Sequence, residues 1–181
     1  MRIIAGKYRG LKLNEFEFDN IRPTIDRVRE AIFNKIQFNI LNANVLDLFG
    51  GTGAVSLEFV SRGANVTTVD SNSNSIKLIK QNFAKAYVKP NLLEMDYMKA
   101  LKKLRAENKT FDIIFLDPPF DADFADKSIR YISDENMLNE DGIIVYEHVI
   151  DKELKIPENF EILDEKKYGT IKVTYIGRKN G

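Results

Sequence analysis

Apolar residues recur along this chain with two periods, one matching strands and one matching helices, and the places where the period changes divide it. Met1 to Ala5 and Leu11 to Leu13, with Gly6 and Gly10 between them, predict a small β-hairpin whose turn carries Lys7, Tyr8 and Arg9. After Arg22-Pro23, the residues Ile25, Val28, Ile32 and Ile36 fall at helical spacing, which predicts an amphipathic helix over 25–39 with Arg27 and Arg29 on its outer face. From Asn44 onward strand and helix alternate. Strands are expected at 45–49, 66–70, 91–95, 111–116 and 142–148, and helices at 54–62, 74–86, 97–108 and 124–133. Such alternation makes parallel strands joined by right-handed helical crossovers. The segments 160–167 and 170–176 are separated only by Tyr168-Gly169, too short for a crossover, so they are expected to pair as an antiparallel hairpin at a sheet edge. The pattern therefore predicts a single α/β domain over 1–181: a preface of hairpin and helix in 1–40, and a core in 44–181 built on a seven-stranded, mainly parallel sheet.

Composition narrows the chemistry. The chain has 181 residues, 44% of them hydrophobic and 30% charged, enough for one sizeable core. It has no cysteine and one histidine, His148, which excludes disulfides and thiolate or histidine-rich metal centres, so no metal is expected. No apolar run reaches the length of a signal peptide core or a membrane span, so a cytoplasmic setting without membrane contact is expected. The net charge of zero conceals segregation: +3 over residues 1–35, −2 over 36–70, +6 over 71–110, −12 over 111–165 and +5 over 166–181. A polyanion would have to be met by a local basic face drawn from the preface, the 98–109 segment and the C-terminus. The plainer reading of Lys99, Lys102, Lys103, Arg105 and Lys109 is a solvated helix face.

Three acids end three successive strands. The first lies in Val45-Leu46-Asp47-Leu48-Phe49-Gly50-Gly51-Thr52-Gly53, an apolar strand running into a glycine turn before a helix, where backbone can approach a ligand closely. The third glycine of a dinucleotide fingerprint is missing after Gly51-Thr52-Gly53, which argues against a nicotinamide cofactor. Asp47 suits the ammonium of an amino-acid ligand such as the methionyl part of S-adenosylmethionine. Asp70, followed by Ser71, is placed to accept from ribose hydroxyls, and Asp96, followed by Tyr97, from an adenine amine. Each of Asp70 and Asp96 could instead cap the helix that follows it.

The fourth strand runs into Asp117-Pro118-Pro119-Phe120. Two prolines fix the turn and remove competing N–H donors, which leaves the Pro118 carbonyl free to accept. An exocyclic base amine is a poor nucleophile because its lone pair is delocalised into the ring. If the Asp117 carboxylate and the Pro118 carbonyl each accept one N–H, the lone pair is aimed at a sulfonium methyl, while Phe120 stacks on a base drawn out of its helix or loop. Taken alone, the same four residues also read as a proline-terminated strand with a capping Asp.

Asp117 to Phe120 resembles the Asp/Asn-Pro-Pro-Tyr/Phe signature of amino-group methyltransferases. The stretches Met1-Arg2-Ile3-Ile4-Ala5-Gly6-Lys7-Tyr8-Arg9-Gly10 and Arg22-Pro23-Thr24-Ile25-Asp26-Arg27-Val28-Arg29-Glu30-Ala31-Ile32-Phe33-Asn34 look like the bacterial 16S rRNA guanine-N2 methyltransferase family that modifies guanine 966. The resemblance runs nearly end to end. It implies a Rossmann-like class I methyltransferase fold, with S-adenosylmethionine bound by Asp47, Gly50, Gly51, Gly53, Asp70, Ser71, Asp96 and Tyr97, and S-adenosylhomocysteine as product. It also implies a catalytic set of Asp117, Pro118, Pro119 and Phe120, and 16S rRNA in an assembling small subunit contacted by Arg2, Lys7, Arg9, Arg22, Arg27 and Arg29. The protein is expected to act as a monomer. Relatives often carry Glu where Asp70 stands, so the shorter side chain has less reach toward a ribose. The competing readings are a methyltransferase of adenine N6 in DNA or RNA, a non-catalytic RNA-binding protein on this fold, and a nicotinamide-dependent oxidoreductase. His148, at the end of an apolar strand, reads as a satisfied structural residue rather than a base, and Glu147 as an acid supporting the site from behind.

Overall fold

The structure is a computed structural model that describes residues 1–16, 22–119 and 123–180, without the side chains of residues 22–24. Phe120 lies outside the described residues, and Arg22 is described by its backbone alone. Helix α1 (Arg22–Ile36) leads through a 3-10 turn (Gln37–Asn39) into β1 (Asn44–Asp47), α2 (Ala54–Ser61), β2 (Asn65–Asp70), α3 (Ser73–Lys85) and β3 (Asn91–Glu94). There follow α4 (Tyr97–Ala106), β4 (Phe111–Leu116), α5 (Phe124–Asp134), β5 (Leu138–Val149), β6 (Phe160–Tyr168) and β7 (Ile171–Arg178).

The seven strands form one sheet in the order β3-β2-β1-β4-β5-β7-β6. The first five run parallel, and β7 lies antiparallel between β5 and β6. This is the class I methyltransferase arrangement expected from the alternation and its hairpin ending. The central strands are apolar on both faces because helices cover both. On one face Leu46, Ile114, Leu116, Ile144 and Tyr146 pack with Ala100, Leu101 and Leu104 of α4 and Ile129 and Ile132 of α5. On the other, Val45, Ile113, Phe115, Val145 and Val173 pack with Val28, Ile32, Phe33 and Ile36 of α1 and Phe59 of α2.

Helix α1 runs Arg22–Ile36 and not over 25–39, the last three residues forming the 3-10 turn, and two further elements differ from expectation. Strand β5 begins at Leu138, four residues before Gly142, because Leu138 pairs with Phe111 and the polar Asn139-Glu140-Asp141 is taken up in a register shift before Ile143 pairs with Ile113. The N-terminal hairpin is reduced to one bridge, Arg2 to Lys12, flanked by the Ile3–Leu11 and Leu13–Met1 backbone hydrogen bonds. Its stability comes from outside itself, since Ile3 and Leu13 pack with Leu57, Ile79 and Phe83 of α2 and α3.

Candidate active site

The carboxyl ends of β1, β2, β3 and β4 open into a cavity of about 850 Å³, lined among others by Phe49, Gly51, Asp70, Asp96, Tyr97 and Asp117. A ligand crevice at this edge is where an open α/β sheet provides one, since the strands end there and the glycine turn follows. Gly51 has φ +60°, and a Cβ built on it would meet nothing within 4 Å, so bare backbone faces the opening. Gly53, at φ +84° ahead of α2, serves packing instead: a Cβ there would press within 3.2 Å of the Ile79 backbone. Gly50 is buried, and its N–H donates to the Val69 carbonyl at 2.8 Å.

Asp70 ties the turn together. Its Oδ2 accepts from Gly51 N–H at 2.9 Å and its Oδ1 from Asn72 N–H at 2.9 Å. The cap of α3 is supplied by Asn72, whose side chain accepts from Asn74 and Ser75, so the capping alternative for Asp70 is set aside. Asp96 caps α4, its Oδ2 accepting from Met98 and Lys99 N–H, and the residue also lines the cavity. Ser71 lines the cavity and is exposed. Tyr97 is nearly buried in an aromatic wall, with ring centroids 5.4 Å from Phe49 and 4.6 Å from Phe124, and Phe49 and Phe124 stack 6.2 Å apart. Burial raises the Tyr97 hydroxyl pKa, with Asp96 adding to the effect.

Asp47, expected to face an ammonium, stands behind the cavity wall with no exposed surface. Its Oδ2 accepts from Ser56 Oγ at 2.6 Å, Ser56 bonds in turn with Thr68, and Oδ1 has no partner among the described residues. Burial pushes its carboxyl up to about 7, against the Ser56 hydrogen bond, which lowers it. The direct ammonium contact is therefore corrected to a position one layer back in this arrangement.

Asp117 lines the cavity with Pro118 and Pro119. Its side chain is open to the cavity yet lies deep within the surrounding protein, and this desolvation by depth pushes its carboxyl up to about 6. Glu147 lies within hydrogen-bonding reach of it, and burial together with the Asp117 charge holds Glu147 well above the ordinary carboxylate range. His148 is the satisfied residue its setting suggested. A ring nitrogen beside a carbonyl must donate, so Nδ1–H gives to the Val149 carbonyl at 2.8 Å and Nε2 accepts from Thr174 Oγ1 at 2.8 Å. Burial lowers its pKa, in keeping with a neutral ring.

Over residues 1–177 the chain matches the model of the family described as conserved hypothetical protein 95. It is 34% identical over 174 residues to the ribosomal RNA small subunit methyltransferase D of Haemophilus influenzae, covering 94% of this chain and 90% of that protein. The protein of the same name from Escherichia coli strain K12 is 31% identical, over 94% of this chain and 86% of the other. The chain belongs to this family. A solved Escherichia coli structure superposes with a TM-score of 0.85 at 27% identity, covering 100% of this chain and 99% of that one.

The basic preface of this chain is arranged in an unexpected way. Arg29 is 5% exposed, not on the outer face of α1. It gives NH1 to Glu58 Oε1 at 3.0 Å and NH2 to the Arg2 carbonyl at 2.7 Å, so a phosphate contact by Arg29 is corrected to an internal ion pair. The period of α1 places Arg29 beside Val28, and it turns inward because Glu58, the one charged residue of α2, stands there. Arg2, Lys7, Arg9 and Arg27 are exposed. Ser61 anchors the hairpin tip, accepting from Lys7 N–H through its carbonyl and from Tyr8 N–H through Oγ. The tip thus sits at the far end of α2 from the glycine turn, about 12 Å away for eight residues rising 1.5 Å each.

Sequence reasoning missed Glu58, Asn82 and Phe16. Asn82 is buried on α3; it accepts from Asn14 N–H at 2.7 Å and donates to the Asn14 and Thr52 carbonyls at 3.0 and 2.8 Å, joining the preface to the glycine turn. Phe16 lines the cavity. For Glu58 the readable signal was polarity out of place, a lone acid within Ala54-Val55-Ser56-Leu57-Glu58-Phe59, whereas Asn82, in Lys80-Gln81-Asn82-Phe83, left none. Among the described residues no group of three or more His, Cys, Asp or Glu is placed to hold a metal ion, and no helix is long and apolar enough to cross a membrane.

Proposed function

We propose that this protein transfers a methyl group from S-adenosylmethionine to the exocyclic N2 amine of a guanine in 16S rRNA of the small ribosomal subunit. The observation that carries the reading is the Asp117-Pro118 edge on the same cavity wall as the glycine turn, Asp70 and Asp96. The names of the family members support rRNA of the small subunit as substrate.

The cavity fits the cofactor. Bare backbone at Gly51 leaves room for a close approach, the Asp70 carboxylate reaches the rim, and the Phe49–Tyr97–Phe124 wall offers flat apolar surface for an adenine. When bound, the cofactor supplies an electrophilic methyl on a sulfonium. The protein's part is positional: Asp117 accepts one N–H of the target amine and the Pro118 carbonyl the other, which directs the nitrogen lone pair. Phe120 is assigned the stacking of the extracted base. Arg2, Lys7, Arg9, Arg22 and Arg27 are assigned to phosphates, which position RNA without reading its sequence.

The test is to incubate the protein with labelled S-adenosylmethionine and either naked 16S rRNA or small-subunit particles, then digest to nucleosides. N2-methylguanosine at one nucleotide is the expected product, with particles the better substrate. Methylation of adenine N6, or cofactor binding without transfer, would overturn the guanine assignment or the catalytic one respectively.

A further inference from the structure

Strands β4 and β5 run parallel with Leu116 beside Tyr146, which brings the next pair, Asp117 and Glu147, side by side where the strands leave the core. Alternation puts both on the sheet face of Phe115 and Val145, at the neighbour spacing of about 4.8 Å. The two carboxyls come within hydrogen-bonding reach of each other. A hydrogen bond between two carboxyls needs a proton on one of them, since two carboxylates have only acceptors to offer. The pair also has unequal surroundings. Asp117 lines the main cavity, whereas Glu147 lies on the other side of the Asp-Pro-Pro turn, in a small recess with Pro118, Pro119, Tyr146, His148 and Lys152.

Resting on the function proposed above, we infer that Glu147 is a positioning residue that keeps one proton between itself and Asp117, fixing the Asp117 carboxylate as the acceptor for the target amine. Held this way, Asp117 carries the single negative charge on the cavity side, and its remaining lone pairs point to where the amine must sit. Losing the proton would put two like charges side by side and turn one carboxylate away; adding a second would remove the acceptor. The direction of the shifts agrees, for burial, then the Asp117 charge and hydrogen bond, push Glu147 up, while the Glu147 hydrogen bond holds Asp117 down against its burial.

The charged and titratable groups around the pair are mixed. Asp47 of β1 stands on the same face and feels the Asp117 charge, and Tyr146 and Asp126 of α5 lie across the sheet. Tyr175 of β7 faces Glu147's side, next to Val173, which pairs with Glu147. Lys172 lies beside His148, Lys152 borders the recess, and Asp26 with Arg29 closes the start of α1.

The experiment follows single-turnover methylation of small-subunit rRNA from about pH 5 to pH 10 in wild type, Glu147→Gln and Glu147→Ala, beside infrared spectra without substrate. The wild-type rate is expected to be bell-shaped. Glu147→Gln, which still donates to Asp117 but cannot titrate, should keep the acid limb and lose the alkaline one. Glu147→Ala should run at least tenfold slower with S-adenosylhomocysteine affinity unchanged. In infrared spectra taken in an Asp47→Asn background, which removes the other raised carboxyl, a protonated-carboxyl band should persist above pH 6 with Glu147 in place and be missing with Glu147→Gln. The inference is overturned if Glu147→Ala matches wild type across the range, if Glu147→Gln keeps the alkaline limb, or if that band survives the Gln substitution. Failure of the wild type to methylate rRNA would count against the function, while the infrared comparison would still decide the shared proton.

Discussion

Two groups of acids, one on α2 and one at the carboxyl edge of the sheet, are treated in opposite ways. Glu58, with no exposed surface, accepts four hydrogen bonds, from Ile4 N–H, Ala5 N–H, Arg29 and Arg62, at 2.8 to 3.1 Å. Asp47, equally buried, accepts from the Ser56 hydroxyl and leaves Oδ1 without a partner among the described residues, while Asp117 has another acid for its neighbour. Donors and opposite charges offset the loss of water around Glu58, whereas desolvation goes largely unanswered at the carboxyl edge and the protons are held more tightly there. The first arrangement fastens the preface to α2. The second keeps a reserve of titratable groups where chemistry is wanted.

The largest expected effect breaks the satisfied side. Glu58→Ala strands Arg29 in the interior and unties the preface, so urea unfolding should show a loss of about 3–5 kcal/mol. A Glu58→Met/Arg29→Met double variant should recover much of it, because the isolated charge goes with its partner. Urea unfolding of the double variant no more stable than Glu58→Ala would show that the backbone contacts of Ile4 and Ala5 dominate instead.

On the other side, Asp47 keeps its proton to higher pH when folded than when unfolded. Its contribution to stability is therefore fully present below about pH 4 and is lost as pH rises through about 7. A displacement from 3.8 to about 7 corresponds to up to ~4 kcal/mol between those limits. Asp47→Asn, which retains an acceptor for Ser56, should flatten the pH dependence of unfolding between pH 4 and pH 8 by that order. Identical slopes in the two proteins would mean that Asp47 titrates normally.

Asp117→Ala separates chemistry from structure most directly. Turnover should fall at least ~10²-fold with cofactor affinity nearly unchanged, and Asp117→Asn should retain more activity because its amide oxygen still accepts. A purely structural Asp117 would instead show a melting change of ~1 kcal/mol with near-normal turnover.

Asp70→Ala removes the acceptor that the cavity shares with Gly51. Calorimetry should find S-adenosylhomocysteine bound roughly ten- to hundredfold more weakly, the equivalent of charge-assisted hydrogen bonds of ~1.5–3 kcal/mol. Smallest of all, Lys7→Ala/Arg9→Ala should lower the salt dependence of RNA affinity by up to ~0.9 per duplex phosphate contact and leave cofactor binding intact. An unchanged slope would move the RNA face away from the hairpin tip, with the exposed lysines of α4 next to be tested.

Periodicity and turn chemistry determined the order of elements here. Strands that must be apolar on both faces and helices that must be apolar on one leave a repeating mark, and Gly51, Asp70, Asp96 and Asp117 are placed at strand ends by that mark alone. Partnership was beyond its reach. Nothing in the spacing of α1 says that Arg29 turns inward to Glu58, that Asp47 sits behind the cavity rather than on it, that Asn82 links Asn14 to Thr52, or that Glu147 comes to lie against Asp117. Each depends on which elements the fold sets side by side, and burial energies depend on that neighbour and not on the residue. A strand's own sequence decides which side chains share a face, because the pleat has a period of two. Which acid meets a donor, and which meets another acid, is decided only when β4 settles beside β5 and α2 beneath the preface.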